Sequence, residues 1–355
     1  MTANPLPPRG RGAGGNPPNR FALLHYERDR DADLEDPTAP RTQFLRDHTR
    51  TVITRNNSPD IPFTFSLNPY RGCEHGCAYC FARPTHEYLG FSAGLDFESR
   101  ILVKEEAPQL LRRELRSPRW QPQTLALSGV TDAYQPIERK LQLTRRCLAV
   151  LAECRNPVNL VTKNHLVTRD QDVLAELNRH HAVSVGLSIT SLDANLIRRL
   201  EPRSSSPSMR LEAIEILAGA GIPVGVMVAP IIPGLTDQEI PAILKAAARA
   251  GASWAGMEIV RLPMAVAPLF EAWLTVHEPL RKEKILDRIR SIRGGRLNDP
   301  RFGYRLSGEG NWAQQIGDLF RVVCRKTGLR NEGPVLNRRA FRRPSNGQLE
   351  LFQTP

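Results

Sequence analysis

Three cysteines, Cys73, Cys77 and Cys80, fall inside the string Asn68-Pro69-Tyr70-Arg71-Gly72-Cys73-Glu74-His75-Gly76-Cys77-Ala78-Tyr79-Cys80. Thiolates at this density bind metal, and the number of ligands narrows which. Structural zinc takes four closed ligands. A [4Fe–4S] cube held wholly by protein takes four cysteines. Three cysteines leave one iron of a cube open to a group that is not protein. Gly72 and Gly76 let the backbone wrap closely around such a cube, and Arg71 with nearby backbone N–H groups can offset its negative charge. Two other readings stand beside this one. Cys73, His75, Cys77 and Cys80 can be written as a zinc site, although Cys-x-His-x-Cys crowds a tetrahedron. The thiols can also be plain buried apolar groups.

The elements that must position this string begin at Phe63. Short runs rich in Val, Ile, Leu and Thr predict strands at Phe63–Leu67, Thr124–Leu127, Val158–Thr162, Val183–Ser188, Pro223–Val228 and Trp254–Val260. Helical spacing predicts helices between them at Ala107–Arg116, Arg139–Cys154, Asp170–His180, Pro207–Ala220 and Gln238–Ala250. Strands alternating with helices imply an α/β fold with a parallel sheet and right-handed crossovers. Six units suit a partial, open (β/α)6 barrel, and a doubly wound sheet equally well. The cysteine string follows the first predicted strand directly; in a barrel that is the end where active sites are built.

Around this core the composition changes. Residues 1–60 are rich in Pro, Gly, Arg and Asp and read as a largely disordered or draped segment. Residues 61–265 form the core. Residues 266–340 read as a helical and basic C-terminal extension, with helices expected within Phe270–Ile292 and Ile316–Cys324, and residues 341–355 as a flexible tail.

The cysteine string resembles the signature of the radical S-adenosylmethionine superfamily. With Ala82-Arg83-Pro84-Thr85-His86 it resembles the spore photoproduct lyase-like branch, and within it the uncharacterised bacterial radical proteins of the Rv2578c/PA0069 type. The resemblance covers about residues 60–265 and implies the partial, TIM-like (β/α)6 barrel. It implies two cofactors, a [4Fe–4S] cluster on Cys73, Cys77 and Cys80, and S-adenosyl-L-methionine chelating the open iron. It further implies reductive cleavage of that molecule to a 5′-deoxyadenosyl radical, which abstracts hydrogen from a substrate. A flavodoxin or ferredoxin is the electron donor expected for the superfamily.

Further cofactor contacts follow from the same resemblance, at the ends of later strands. Tyr79 lies in the cluster loop. Ser128, Thr131 and Asp132 fall where the methionyl amine is bound. Lys163 matches the residue pairing the methionyl carboxylate, Ser188 can reach the ribose, and Met227 lies on the expected ledge for adenine. Glu201 and Arg203 match the branch and read equally well as a salt bridge. Spore photoproduct lyase carries a hydrogen-donating cysteine near the end of its second strand, and Leu127-Ser128-Gly129 has none. Cys147, Cys154 and Cys324 read as small buried apolar residues. Branch membership therefore does not fix the substrate.

Composition bears on partners. Forty-nine Lys and Arg against 37 Asp and Glu give a net charge of +12, which favours polyanions such as DNA or RNA. The ending Gln348-Leu349-Glu350-Leu351-Phe352 resembles the peptide that docks repair proteins on the bacterial DNA sliding clamp. Six cysteines without a disulfide spacing, no apolar leader and no membrane-length apolar run point to a reduced, cytoplasmic compartment and no membrane. The function expected is a radical enzyme of lyase or modifying type, acting on nucleic acid in repair or modification. A radical enzyme for a small metabolite or peptide, and a non-catalytic iron–sulfur adaptor binding the clamp, are the alternatives.

Overall fold

The computed structural model describes residues 7–22 and 41–344. Six parallel strands appear where the sequence places them: β1 (Phe65–Leu67), β2 (Leu125–Leu127), β3 (Val158–Thr162), β4 (Val183–Ser188), β5 (Val224–Ile231) and β6 (Trp254–Ile259). They lie side by side in chain order, with Ile53–Arg55 added antiparallel outside β1. That order belongs to a barrel wound in one direction. A doubly wound sheet would reverse it. The sheet is a partial (β/α)6 barrel, open between β6 and the β1 edge.

The two faces of the strands differ chemically. Leu125, Leu127, Val158, Leu160, Val183, Val185, Val224 and Val226 lie on one face in register. They pack with Leu111, Leu148, Leu151, Leu174, Leu177, Ile214, Leu217, Ile243 and Leu244 of the surrounding helices. Each such side chain, fully buried, contributes about 1.5–3 kcal/mol. The alternate positions carry Ser66, Ala126, Asn159, Ser184, Gly186, Ser188, Gly225, Met227 and Gly256. The lumen face is therefore mostly small and polar, with Val161 and Trp254 as its bulky members: a Cβ on Gly186 would stand 3.1 Å from the Trp254 ring.

Helices end where local chemistry ends them. Ser206 caps Pro207–Gly219 by accepting from Met209 N, with Pro207 in the first turn. The helix expected over 139–154 is interrupted at Gln142, whose φ is 51°. The buried Glu138 carboxylate there accepts from the N–H groups of Thr144 and Arg145, starting the helix Leu143–Cys154 afresh. Asp193 caps a helix the sequence reading left unassigned, Ala194–Leu200, by accepting from Asn195 N and Leu196 N. Beyond β6 come the helices Val266–His277, Lys282–Ser291 and Gly310–Thr327.

Within residues 1–60, the described stretches are built into the fold. Gln43–Arg46 pairs in parallel with Arg100–Val103. Arg11, Gly12 and Ala13 are buried, their backbone fixed by a buried carboxylate described below. At the other end, residues 330–343 cross the N-terminal ends of the strands. Arg330 pairs with Ser253 and Ala255, Asn337 N donates to His181 O, and Arg342 N donates to Cys154 O. Arg343 reaches Trp120 O. The expected clamp peptide, Gln348–Phe352, lies outside the described residues.

Candidate active site

The cysteine loop leaves β1 at the C-terminal end of the barrel and is held from below by one cation. Arg83 is fully buried. Its Nε donates to Cys77 O at 3.0 Å, one Nη to Gly94 O at 2.9 Å, and the other to Glu98 Oε1 at 2.6 Å. Glu98, equally buried, also accepts from Gly12 N at 3.0 Å and Ala13 N at 2.8 Å. A guanidinium and a carboxylate thus tie three segments together, each charge met by its counterpart and by backbone. Gly72 and Gly76 have φ of +81° and +65°. A Cβ on Gly72 would stand 2.8 Å from His86, and one on Gly76 2.5 Å from Glu98. Glycine is required at both, for conformation and for space.

All six cysteines are free, with Cys73 and Cys77 buried and Cys80 half-buried. Burial pushes the Cys77 thiol well above its ordinary range, with Glu201 adding to the effect, and pushes Cys80 up to about 11. Cys77 and Cys80 are thus held as neutral thiols that need an incoming cation to become thiolates. His75 does not complete a zinc site. Its Nδ1 lies 3.4 Å from Asp132 Oδ2, and its Nε2 meets Asn164 Nδ2 at 3.2 Å. An imidazolium held by Asp132 offers zinc no lone pair, which removes the fourth zinc ligand. Among the described residues, no group of three or more His, Cys, Asp or Glu is arranged around a single ion. An iron–sulfur cube asks for a different arrangement, because each thiolate binds its own iron. Three thiols in one loop, with the charge brought by the ligand, fit that group.

Arg71 does not face the loop interior as expected. It is half-exposed and pairs with Asp47 at 2.7 Å, because the short strand Tyr70–Arg71 turns it toward the Gln43–Arg46 side. Asp132 meets His75 as its cation. Its carboxylate also accepts from Thr162 Oγ1 at 2.7 Å and Lys163 N at 2.8 Å. Burial opposes ionisation of this pair. Asp132, and after it Cys73, nevertheless raise His75 to about 10, while His75, the Lys163 N–H and Thr162 hold Asp132 at about 2. Thr131 donates to Gly72 O at 2.6 Å, and Ser128, at φ 80°, accepts from Ala133 N at 2.9 Å. Thr131 and Asp132 bind the loop after β2 to its neighbours, and Ser128 fastens the loop to itself.

Lys163, at the end of β3, donates to Ala229 O at 2.9 Å and lies 3.6 Å from Glu201 Oε1. Glu201 is fully buried. It pairs with Arg210 and accepts from Tyr79 and Thr190. Burial alone would raise its pKa; Arg210, then Lys163, hold it well below the carboxylate range. The expected Glu201–Arg203 pair is replaced, since Arg203 turns to Glu74 at 3.3 Å. Ser188 is buried at the end of β4, beside Met227 in register. Met227 fits between glycines: a Cβ on Gly256 would stand 2.6 Å from its sulfur. Tyr79, Lys163, Ser188 and Met227 therefore gather at the C-terminal ends of β3–β5, near the cysteines.

The structure adds two residues that carried no sequence signal. Glu258 on β6 pairs with Arg261 at 3.3 Å, and Arg261 stacks over Phe81, next to Cys80, at 4.0 Å. Burial raises Glu258 and lowers Arg261, and the attraction between them offsets that only in part. Cys147 and Cys154 face the core from the helix behind β2.

Residues 67–247 match the family model described as the radical SAM superfamily. A Mycobacterium tuberculosis protein, "Uncharacterized protein Rv2578c", is 38% identical over 225 residues, covering 63% of this chain and 66% of its own length. A Methanocaldococcus jannaschii protein, "Uncharacterized protein MJ0683", is 33% identical over 175 residues, covering 49% of this chain and 63% of its own. The chain thus spans just under two thirds of these relatives. Among solved structures, a spore photoproduct lyase variant superposes with a TM-score of 0.60 at 19% identity, covering 81% of each chain. The lyase complexed with dinucleoside spore photoproduct gives 0.59 at 18%, covering 81% of each chain. These likenesses establish the fold. No helix among the described residues is long and apolar enough to cross a membrane.

Proposed function

The chain belongs to the radical SAM superfamily, and from that membership we propose that it binds a [4Fe–4S] cluster on Cys73, Cys77 and Cys80 and uses S-adenosylmethionine to abstract hydrogen from a nucleic acid. The observation that carries the cofactor reading is the loop itself: three free thiols on one turn, with His75 committed elsewhere. When bound, the cluster supplies the electron that cleaves the sulfonium. The protein's part is to hold and enclose. Arg83 and Glu98 fix the loop, and residues 11–13 cover it against water. Lys163 is the cation at the barrel mouth suited to a carboxylate, and its present partners are a backbone carbonyl and Glu201. Met227, on β5 beside Ser188, is the apolar surface suited to an adenine ring.

Nucleic acid as substrate is favoured by the +12 charge. The lyase of the same fold is complexed with a dinucleoside. The decisive experiment is anaerobic. Reconstituted, reduced protein given S-adenosylmethionine should release 5′-deoxyadenosine, and Cys77→Ala should not. Binding to DNA or RNA should fall steeply with salt. No binding at low salt would turn the substrate reading toward a small metabolite or peptide.

A further inference from the structure

Six strands leave the barrel open, and the gap between its edges is crossed by the loop 299–308. On the β6 side, Ile259 N donates to Leu306 O at 2.9 Å. The buried Arg293 donates to Tyr304 O and Val260 O, both at 2.7 Å. On the other side, Gly303 N donates to Asp60 Oδ1 at 2.7 Å, and the Arg305 guanidinium reaches Asp60 and Ser58. Asp60 lies in the turn between Ile53–Arg55 and β1, the opposite edge of the sheet.

This bridge uses backbone, Arg293 and Arg305. It leaves two aromatic side chains outside, Phe302 at 58% and Tyr304 at 44% exposure. Each lies under a guanidinium: Arg305 is 4.8 Å from the Phe302 ring centre, and Arg301 4.8 Å from that of Tyr304. Arg301 is itself oriented by Asp299 at 2.6 Å and Glu309 at 2.9 Å. Closing the gap does not require these rings, each of which leaves about half of its surface in water. Rings held outward beside cations are what unpaired bases stack on. The loop also neighbours the candidate active site: it meets the end of β6 at Ile259 and Val260, between Glu258 and Arg261, and Arg261 covers Phe81 beside Cys80.

We propose that residues 301–305 form a base-stacking platform, with Phe302 and Tyr304 as its rings, that seats a single-stranded or splayed nucleic-acid segment at the barrel opening. This rests on the nucleic-acid reading above and adds where, and through which chemistry, the strand is held. Base stacking makes the site tolerant of sequence and selective for unpaired bases over duplex.

The test uses the full chain and fluorescence anisotropy with three labelled probes: a short single-stranded oligonucleotide, the same length made abasic, and a duplex. Wild type should prefer the first. Replacing both rings, Phe302→Leu with Tyr304→Leu, should weaken binding of the single strand about tenfold or more. Abasic affinity should stay as in wild type. Unchanged melting of the double variant would show that the gap stays bridged. Wild-type-like affinity of the variant for the single strand would overturn the platform while leaving the nucleic-acid reading standing, as would an equal loss on the abasic probe. No binding of any probe by wild type would overturn both.

Discussion

The backbone of Gly12 lies so close to Gly76 that a Cβ on Gly12 would stand 1.7 Å from the Gly76 carbonyl oxygen. A residue from the start of the chain thus serves as the outer wall of the cysteine loop. Gly12→Ala must lift this segment and loosen the Gly12 and Ala13 donations to Glu98. The expected cost is about 1–3 kcal/mol. Trypsin should cut within residues 9–20 sooner, and reconstituted protein should lose iron faster in air. Unchanged proteolysis and unchanged iron retention would refute a covering role.

Cys77→Ala should remove iron binding while sparing the fold. The apoprotein loses one buried sulfur, a change of about 1 kcal/mol. Iron per chain after reconstitution should fall from about four to a small fraction of that. Iron analysis and a urea melt of the two apoproteins check both halves.

Glu201→Gln leaves the buried Arg210 without its counter-charge, both side chains being fully shielded from solvent. The expected destabilisation at neutral pH is about 3–5 kcal/mol. The sign of its pH dependence follows from the lowered pKa. The stabilisation is complete above the unfolded value of 4.5 and is lost as pH falls from there toward the folded value. In melting curves, the gap between wild type and variant should narrow by about 1 kcal/mol between neutral pH and pH ~3.5. A constant gap would mean that the carboxylate does not carry the effect.

Lys104 behaves in the opposite sense. Burial, then the nearby Arg71, lower its ammonium from 10.5 to about 8. The unfolded chain therefore holds this proton more tightly between those values, and stability should rise with pH across that window. Lys104→Met should stabilise at pH ~7, by up to about 3 kcal/mol, and the advantage should shrink toward pH ~10. Denaturant midpoints of both proteins at the two pH values test it.

What the sequence made legible was local. Val158–Thr162 and Val183–Ser188 coincide with their strands to the residue, because apolar positions on the helix-facing side mark them. The cysteine loop carries its own spacing. The charge pairs were not readable in this way. Glu201 and Arg203 look like partners in the sequence, yet the helix begun by Ser206 brings Arg210 onto Glu201, and Arg203 meets Glu74 from across the fold. The composition of residues 1–60 suggested disorder because it lacks apolar side chains. The order of residues 11–13 comes instead from main-chain N–H groups meeting a distant buried carboxylate, which no local pattern encodes.

The crossing of residues 330–343 beneath the strands orders events in biosynthesis. Its anchors, at Trp120, Cys154, His181 and Ser253, leave the ribosome long before the segment that grips them. The six βα units can associate while translation continues, each on its predecessor, but the underside stays uncovered until the last of these residues is made. Such late, long-range closure is slow relative to neighbour-on-neighbour assembly. A nascent chain arrested near residue 328 should accordingly be the form most dependent on chaperones and most prone to aggregate.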